Sequence, residues 1–143
     1  MQLVNKKARF NYRLFERFEA GIELKGAEVK SLKKGRGDLA NAFAKIIGNE
    51  PFLINLNIPT DDKQLPSTRP RKLLLHKREI ISLASKIKQK KLTLLPTKLY
   101  TKGRLIKVEL ALAKAKRKFE KKESIKKKDI ERDIAQELKS RTI

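Results

Sequence analysis

The side chains with the greatest chemical capacity in this chain are its cations. Lysine and arginine number 37 among 143 residues, against 16 aspartates and glutamates, which gives a formal net charge of +21. A cationic excess of this size repels itself unless a polyanion neutralises it, so nucleic acid and anionic membrane surfaces are the candidate partners. Because no stretch of about eighteen residues is apolar and uncharged, we expect no segment that spans a bilayer.

Residue types that support catalysis or metal binding are sparse. The chain has one histidine, His76, and no cysteine, so it lacks a His–Cys pair and a thiolate metal site. Asp61 and Asp62 stand in a proline-rich stretch without a third carboxylate at a useful spacing, which favours a solvated turn. The glycines fit turns better than a phosphate-binding loop. We therefore predict a protein that is not an enzyme, binds no metal and needs no cofactor.

Cysteine content and the N-terminal residues bear on the cellular compartment. With no cysteine, the chain has no disulfide framework. Residues 1–9 lack the apolar segment of a signal peptide. Both observations favour a cytoplasmic protein.

Composition divides the chain into one folded domain and a basic tail. Residues 1–114 contain the apolar runs that a core needs. Residues 115–143 hold 11 basic and 6 acidic residues, and their one narrow apolar stripe is formed by Ile130, Ile134 and Leu138. An isolated helix of this length is marginal, so we expect a tail that is disordered alone and helical on a polyanionic surface.

The first part of the chain predicts a long strand and a short helix. Residues 10–24 carry aromatic and branched apolar residues typical of a strand, with a bulge or bend near Ala20 and Gly21. Residues 27–34 carry an acidic residue in the first turn and basic residues before a glycine at the end, which predicts a helix.

A hairpin and a long loop are predicted next. Gly48 and Asn49 suit a tight turn between strands at residues 42–47 and 51–57. Residues 58–70 contain three prolines among short polar residues, which indicates an exposed loop.

The remaining body predicts an amphipathic helix at residues 77–90 and a second hairpin formed by residues 92–101 and 104–113. Pro96 marks an edge position or a bulge in the first arm. Alternation in the second arm places four residues on one face: Ile106, Val108, Leu110 and Leu112. These elements predict a mainly β, α+β fold, a small closed antiparallel OB-like β-barrel with peripheral helices and a basic C-terminal tail. Barrels of this type commonly carry RNA.

Six segments, in order along the chain, resemble one known family. They are NKKA at residue 5, EAGI at 19, GAEVKSL at 26, RPRKLLLHKREI at 69, KLY at 98 and KVEL at 107. Together they are similar to the SmpB family, the small protein B proteins that bind transfer-messenger RNA (SsrA RNA). The resemblance implies an OB-like barrel that grips the tRNA-like domain of this RNA at its elbow.

The resemblance also implies a role in trans-translation, in which stalled ribosomes are rescued and the unfinished peptide is tagged. The protein would deliver transfer-messenger RNA, while its C-terminal tail senses the decoding centre and the empty mRNA channel. It would perform no covalent step. The implied partners are transfer-messenger RNA and the ribosome, with no membrane, and we expect a monomer.

Carried over residue by residue, the family's main RNA-binding positions are Glu19, Leu74 and Lys107. The supporting positions are Asn5, Lys6, Lys7, Glu28, Lys30, Arg69, Arg71, Lys72, His76 and Arg78. Cations neutralise phosphates, whereas Glu19 must accept hydrogen bonds from base edges or 2′-hydroxyls, or orient a basic neighbour. The alternative role for Leu74 is that of a core leucine, which would hold the loop before the helix in place.

In the tail, Phe119 falls where the family has an aromatic residue or a histidine that can stack on a ribosomal base. The positions expected to bind the ribosome are Phe119, Glu120, Lys121, Lys122, Lys126, Lys127 and Lys128. Ala115 replaces a common glycine, and the loop at residues 59–68 is shorter than is typical of the family.

Two alternatives remain open on sequence grounds. A structural ribosomal protein would share the basic barrel and a tail that threads through ribosomal RNA, and composition alone does not reject it. A nuclease is disfavoured because the acid, base and metal groups are missing.

Overall fold

The computed structural model describes residues 1–117, which form seven strands and three helices. In chain order they are β1 (Gln2–Val4), α1 (Lys6–Asn11), β2 (Tyr12–Ile22), α2 (Gly26–Lys33), β3 (Phe43–Ile47), β4 (Glu50–Ile54), β5 (Arg71–Leu74), α3 (Lys77–Lys90), β6 (Thr93–Lys102) and β7 (Leu105–Ala115). None of these helices is long and apolar enough to cross a membrane.

The strands pair into a continuous ring. The sheet order is β1-β6-β3-β4-β5-β2-β7, and a further pairing joins β6 to β7. The strands β2 to β7 therefore close a ring in which each has two neighbours, and β1 pairs with β6 outside that ring. All the strand pairings described are antiparallel. The predicted mainly β, antiparallel architecture with a few helices is confirmed.

Alternation along β7 builds much of the core. The four residues predicted to share one face, Ile106, Val108, Leu110 and Leu112, are all buried. Lys107 and Glu109 between them are partly exposed on the other face. Because burying one such side chain contributes about 1.5–3 kcal/mol, this pattern fixes the register of β7 against its neighbours.

The helices cover parts of the core that the sheet leaves open. Leu32 of α2 and Leu83 of α3 are fully buried in the same cluster as the core leucines of the strands. The structure places α2 one residue before the predicted residues 27–34, while α3 occupies residues 77–90.

Positive backbone angles mark the turns of the two hairpins. Gly48 (φ 56°) and Asn49 (φ 64°) connect β3 to β4, which confirms the predicted tight turn. Gly103 (φ 62°) connects β6 to β7. Pro96 lies beside a register shift between β6 and β7, so it sits at a bulge.

The predicted position of the bulge in β2 is wrong. The register with β7 shifts between Leu14 and Arg17, whereas Ala20 and Gly21 pair regularly with β7. Residues 15–17 are all exposed, but Ala20 is only 2% exposed. An extra, unpaired residue is easier to accommodate on the exposed part of a strand than where the backbone packs on the core.

The N-terminal segment also differs from expectation, because Phe10 lies in α1 and not in the long strand. Asn5 caps this short helix, since its Oδ1 accepts a hydrogen bond from the Ala8 N–H at 3.0 Å. At the other end of the body, β7 runs to Ala115, and the Lys116 N–H donates to the Asn11 carbonyl at 2.9 Å. The ordered body therefore extends past residue 114.

Candidate nucleic-acid interface

The outer face of β2 brings together the three main predicted RNA-binding side chains. Gly21 pairs with Leu74 on β5 and with Lys107 on β7. Directly paired residues of an antiparallel sheet point to the same face, and Glu19, two residues before Gly21, shares that face. Glu19, Leu74 and Lys107 therefore line one groove of about 640 Å³, which we call the Gly21 groove.

The start of α3 and the β3–β4 turn supply the other walls of the Gly21 groove. The residues that complete it are Asn49, Glu50, Pro51, Lys72, Leu73, Leu75, His76, Glu79 and Ile80. His76 is the N-cap of α3, and its backbone N–H donates to the Glu79 carboxylate at 3.3 Å. Lys72 lies 3.8 Å from the Glu50 carboxylate in an exposed ion pair. Lys72 and His76, both predicted, thus join the three main positions.

Leu74 projects into solvent and not into the core. Its exposed fraction is 51%, whereas the neighbouring Leu73 is 1% exposed, so the interpretation of Leu74 as a core residue is wrong. Its position depends on Gly21. A Cβ on Gly21 would lie 3.1 Å from Leu74 Cβ and 3.2 Å from Leu74 Cδ1, so only glycine leaves Leu74 undisturbed.

Two side chains of β6 hold the Glu19 carboxylate. Tyr100 Oη donates to Oε2, and Lys102 Nζ donates to Oε1 at 3.1 Å. These hydrogen bonds, with that from Tyr100 the stronger, lower the pKa of Glu19. Burial and the Glu19 carboxylate raise the pKa of Tyr100 to about 12, so its hydroxyl stays a donor at neutral pH. Glu19 is therefore an oriented anion with lone pairs left for a ligand.

Glu28 joins two arginines beneath the long loop. Arg71 Nε donates to Glu28 Oε2 at 2.7 Å and Arg69 Nε donates to the same oxygen at 3.2 Å. Arg71 also donates to the Ser67 carbonyl at 3.0 Å and to the Leu56 carbonyl. The cluster ties α2 to β5 and to both ends of the loop that connects β4 to β5.

Burial removes Glu28 and Arg71 from the residues that can touch RNA, because both side chains are 0% exposed. Their place among the supporting RNA-binding positions stays a prediction, and in this structure it would have to act through the residues that they hold. Burial raises the pKa of Glu28, but hydrogen bonds from Arg69, the Lys25 N–H and Arg71 outweigh it and hold the pKa below its usual value. Burial lowers the pKa of Arg71 against the opposing effect of Glu28. Only Arg69, 23% exposed, presents its guanidinium to solvent.

Asn5 is also structural. Its side chain is buried and donates to the carbonyls of Leu39 (3.0 Å) and Pro96 (2.9 Å), so these contacts already occupy the amide that was predicted to support RNA binding. Lys6 and Lys7 are exposed nearby.

Lys7 lines a separate groove of about 500 Å³ that also includes Tyr12. Tyr12 and Gly21 are nine residues apart along β2, near its opposite ends, which at about 3.3 Å per residue is a separation of at most about 30 Å. The structure does not bring residues 5–7 to the Gly21 groove.

The remaining predicted cations of the body do not line the Gly21 groove. Lys30 is exposed on α2, and Arg78 is exposed in the first turn of α3. The tail positions Phe119, Glu120, Lys121, Lys122, Lys126, Lys127 and Lys128 lie outside the described residues.

Sequence reasoning missed several residues of this surface. Tyr100 belongs to one of the segments that carry the family resemblance, but its contact with Glu19 across two strands has no local signal. Gly21 had a signal, since a glycine inside a strand often marks a close approach of another group. Leu105, which lies in an adjoining depression that also includes Gly21, had one too, because alternation that turns Ile106 inward turns Leu105 outward.

Comparison with known proteins adds an independent observation. A family model described as "SmpB protein" matches residues 2–140. The chain is 45% identical over 141 residues to the "SsrA-binding protein" of Persephonella marina, covering 96% of this chain and 93% of that protein. It is 48% identical over 140 residues to the "SsrA-binding protein" of Thermosipho melanesiensis, covering 94% and 95%.

A solved structure is also similar. It is described as "tmRNA-SmpB: a journey to the center of the bacterial ribosome", and the match has a TM-score of 0.69 and 43% identity over 87% of this chain and 94% of that one.

Proposed function

This chain belongs to the SmpB protein family, and we propose that it binds the tRNA-like domain of transfer-messenger RNA and delivers this RNA to stalled ribosomes. The observation that carries the proposal is the convergence of Glu19, Leu74 and Lys107 on the Gly21 groove. The relatives are described as SsrA-binding proteins, and the solved structure with a similar fold is a complex of tmRNA and SmpB. These descriptions favour ribosome rescue over a structural ribosomal protein.

Each group in the Gly21 groove has a distinct part in RNA binding. Lys72 and Lys107 neutralise phosphates and fix the position of the RNA backbone. Glu19, held by Tyr100, accepts hydrogen bonds from 2′-hydroxyls or base edges, which gives selectivity for RNA structure. Leu74 offers an apolar contact to an unstacked base. The family binds RNA, and no covalent step is assigned to the protein.

Glu28 and Arg71 support this surface from below. Their ion pair is buried and fixes Arg69, whose guanidinium is the only member of the cluster with appreciable exposure. In this proposal Arg69 contacts the RNA backbone beside the groove, together with the exposed Lys30 and Arg78.

In its finer architecture, the ring of strands is proposed to be a closed OB-like barrel. The pairing of β6 with β7 supports this, since it gives each strand from β2 to β7 two neighbours. The barrel corresponds to the proposed RNA-binding domain, and residues beyond it form the proposed ribosome-binding tail.

Residues 1–114 carry a net charge of +16 and residues 115–143 carry +5, so most of the charge is available to the structured RNA. The setting proposed is the cytoplasm, with the protein acting as a monomer.

Binding of the isolated tRNA-like domain as a function of salt tests the proposal. If about five phosphates are neutralised, log affinity against log salt has a slope steeper than about −3. Lys107→Ala is expected to weaken binding about ten-fold and to reduce the slope by about 1. Lys88→Ala, at an exposed position of α3 away from the groove, is the matched control. A flat salt response, or equal losses in both variants, would contradict the proposal.

A further inference from the structure

Two large apolar side chains stay exposed on the strands that flank β2. Leu74 on β5 is 51% exposed, and Leu105 at the start of β7 is 62% exposed. Both line a depression of about 220 Å³, together with Arg104 and Lys107. This depression shares Gly21, Leu74 and Lys107 with the Gly21 groove, so the two form one continuous surface.

The fold fixes Leu105 in this outward position. Ile106 is 8% exposed and belongs to the core, so alternation turns Leu105 to the opposite face, which is also the face of Lys107. The tight turn at Gly103 precedes it and limits the freedom of the strand end. Together with Leu74, the exposed Leu105 forms an apolar surface of the kind at which ligands bind.

Charge identifies the kind of occupant. Within residues 1–117, neither Arg104 nor Lys107 has a carboxylate within 4 Å, unlike Lys72, Lys98 and Lys102 on the neighbouring strands. An apolar slot flanked by two such cations suits a ligand with a flat apolar face and an anionic group attached to it. An unpaired nucleotide has this combination, because its base offers the face and its phosphate the charge.

We infer that Leu74 and Leu105 form a subsite for one unstacked base of the bound RNA, with Arg104 on the phosphate of that nucleotide. The inference rests on the proposed function and adds Leu105 and Arg104 to the residues that perform it. Aliphatic contact recognises the face of the base and not its edge, so the subsite selects an unpaired nucleotide with little preference for its identity.

Binding of the tRNA-like domain by full-length variants tests this subsite. Leu105→Ala is expected to weaken binding about ten-fold with an unchanged salt slope, because it removes apolar contact only. Arg104→Gln is expected to reduce the magnitude of the salt slope by about 1. Leu105→Met, which keeps an apolar side chain of similar size, is expected to restore most of the affinity. The matched control is Ile81→Ala on α3, since Ile81 is 61% exposed and lies outside both depressions.

Chemical probing of the RNA provides a second measurement. One unpaired nucleotide should be protected by the wild-type protein and by Ile81→Ala but exposed with Leu105→Ala. If wild type binds the RNA while Leu105→Ala and Ile81→Ala give the same affinity and the same protection, the subsite does not exist but the proposed function stands. If wild type does not bind the RNA, the proposed function itself fails.

Discussion

At the scale of single residues, the Gly21 groove depends on the absence of a side chain at position 21. Gly21 lies between Leu74 and Lys107 in the sheet, and a Cβ at this position would press on Leu74. Glu19 depends in a similar way on Tyr100, whose hydroxyl comes from a different strand. Two uncharged residues, Gly21 and Tyr100, thus determine how Leu74 and Glu19 are positioned on this surface.

Gly21→Ala should displace Leu74 and weaken RNA binding about ten-fold, because a contact of 3.1 Å is too close for two carbon atoms without a shift. Gly26→Ala is the control, since no atom lies within 4 Å of the added Cβ and alanine favours the helix. Affinity for the tRNA-like domain and the thermal midpoint of both variants provide the measurement. Equal affinity in the two variants would show that RNA binding does not depend on the absence of a side chain at Gly21.

Tyr100→Phe should raise the pKa of Glu19 toward its ordinary value, because the hydrogen bond from Tyr100 is the largest cause of its lowering. Affinity for RNA should fall about five-fold, since the carboxylate loses its orientation. A carbon-detected NMR titration of the glutamate carboxyls and a binding assay measure both effects. Tyr12→Phe is the control, because the Tyr12 hydroxyl forms no hydrogen bond in the part of the chain described. An unchanged titration of Glu19 would contradict the role of Tyr100.

At the scale of elements, the Glu28 cluster joins α2, β5 and the loop between β4 and β5. This loop has no strand between Ile54 and Arg71, and the hydrogen bonds of Arg71 to the Leu56 and Ser67 carbonyls hold it together with the backbone bridge between Asp38 and Asn57. Two arginines around one carboxylate leave a net positive charge, and the exposed part of that charge is on Arg69.

Glu28→Gln should destabilise the fold by about 3 kcal/mol, because it leaves Arg71 buried without its counter-charge. Urea unfolding gives the free energy. Glu50→Gln, which breaks only the exposed pair with Lys72, should change stability by less than about 1 kcal/mol. If the two variants are equally stable, the cluster has no structural role.

The same pair predicts a pH dependence. Since the pKa of Glu28 is lowered on folding, its contribution to stability is present above the ordinary pKa of 4.5 and is lost as the pH falls through the lower folded value. The free energy of unfolding of wild type, measured with urea, should therefore fall more steeply as the pH is lowered than that of Glu28→Gln.

Elements with strong periodicity could be predicted from sequence, and short ones could not. α3 and both hairpins have amphipathic patterns or turn residues, whereas β1, α1 and β5 span only three, six and four residues. The site followed the same rule. The family resemblance indicated Glu19 and Lys107, but the burial of Glu28 and Arg71 results from packing between distant segments, which no local pattern records.

At the scale of the whole molecule, cationic surfaces occupy opposite ends of β2. The Gly21 groove is at one end, while Lys7 and the last residues of β7 are at the other. A structured RNA bound at one end would leave the other free for a second RNA. This arrangement supports the proposed division between a body that binds transfer-messenger RNA and a tail that enters the ribosome.

A truncation after Arg117 should keep affinity for the tRNA-like domain and lose peptide tagging on stalled ribosomes. The boundary follows from β7, which ends at Ala115, and from the hydrogen bond of the Lys116 N–H to Asn11. Filter binding and a tagging assay in a reconstituted translation system provide the two readouts. A parallel loss of RNA affinity would show that the two parts are not separable.

The ring of strands is not equally strong all the way round. β3 pairs with β6 at one position, Ala44 with Leu94, and β4 pairs with β5 at two, whereas β2 pairs with β7 at eight. The β3–β4 hairpin is therefore held to its neighbours by few pairs and should open at a low free-energy cost, and its amides should exchange with solvent as one unit before those of β2 and β7. Its turn carries Asn49 and Pro51 into the Gly21 groove. One rim of the groove can thus open transiently while the floor, built on the eight pairs between β2 and β7, keeps its shape.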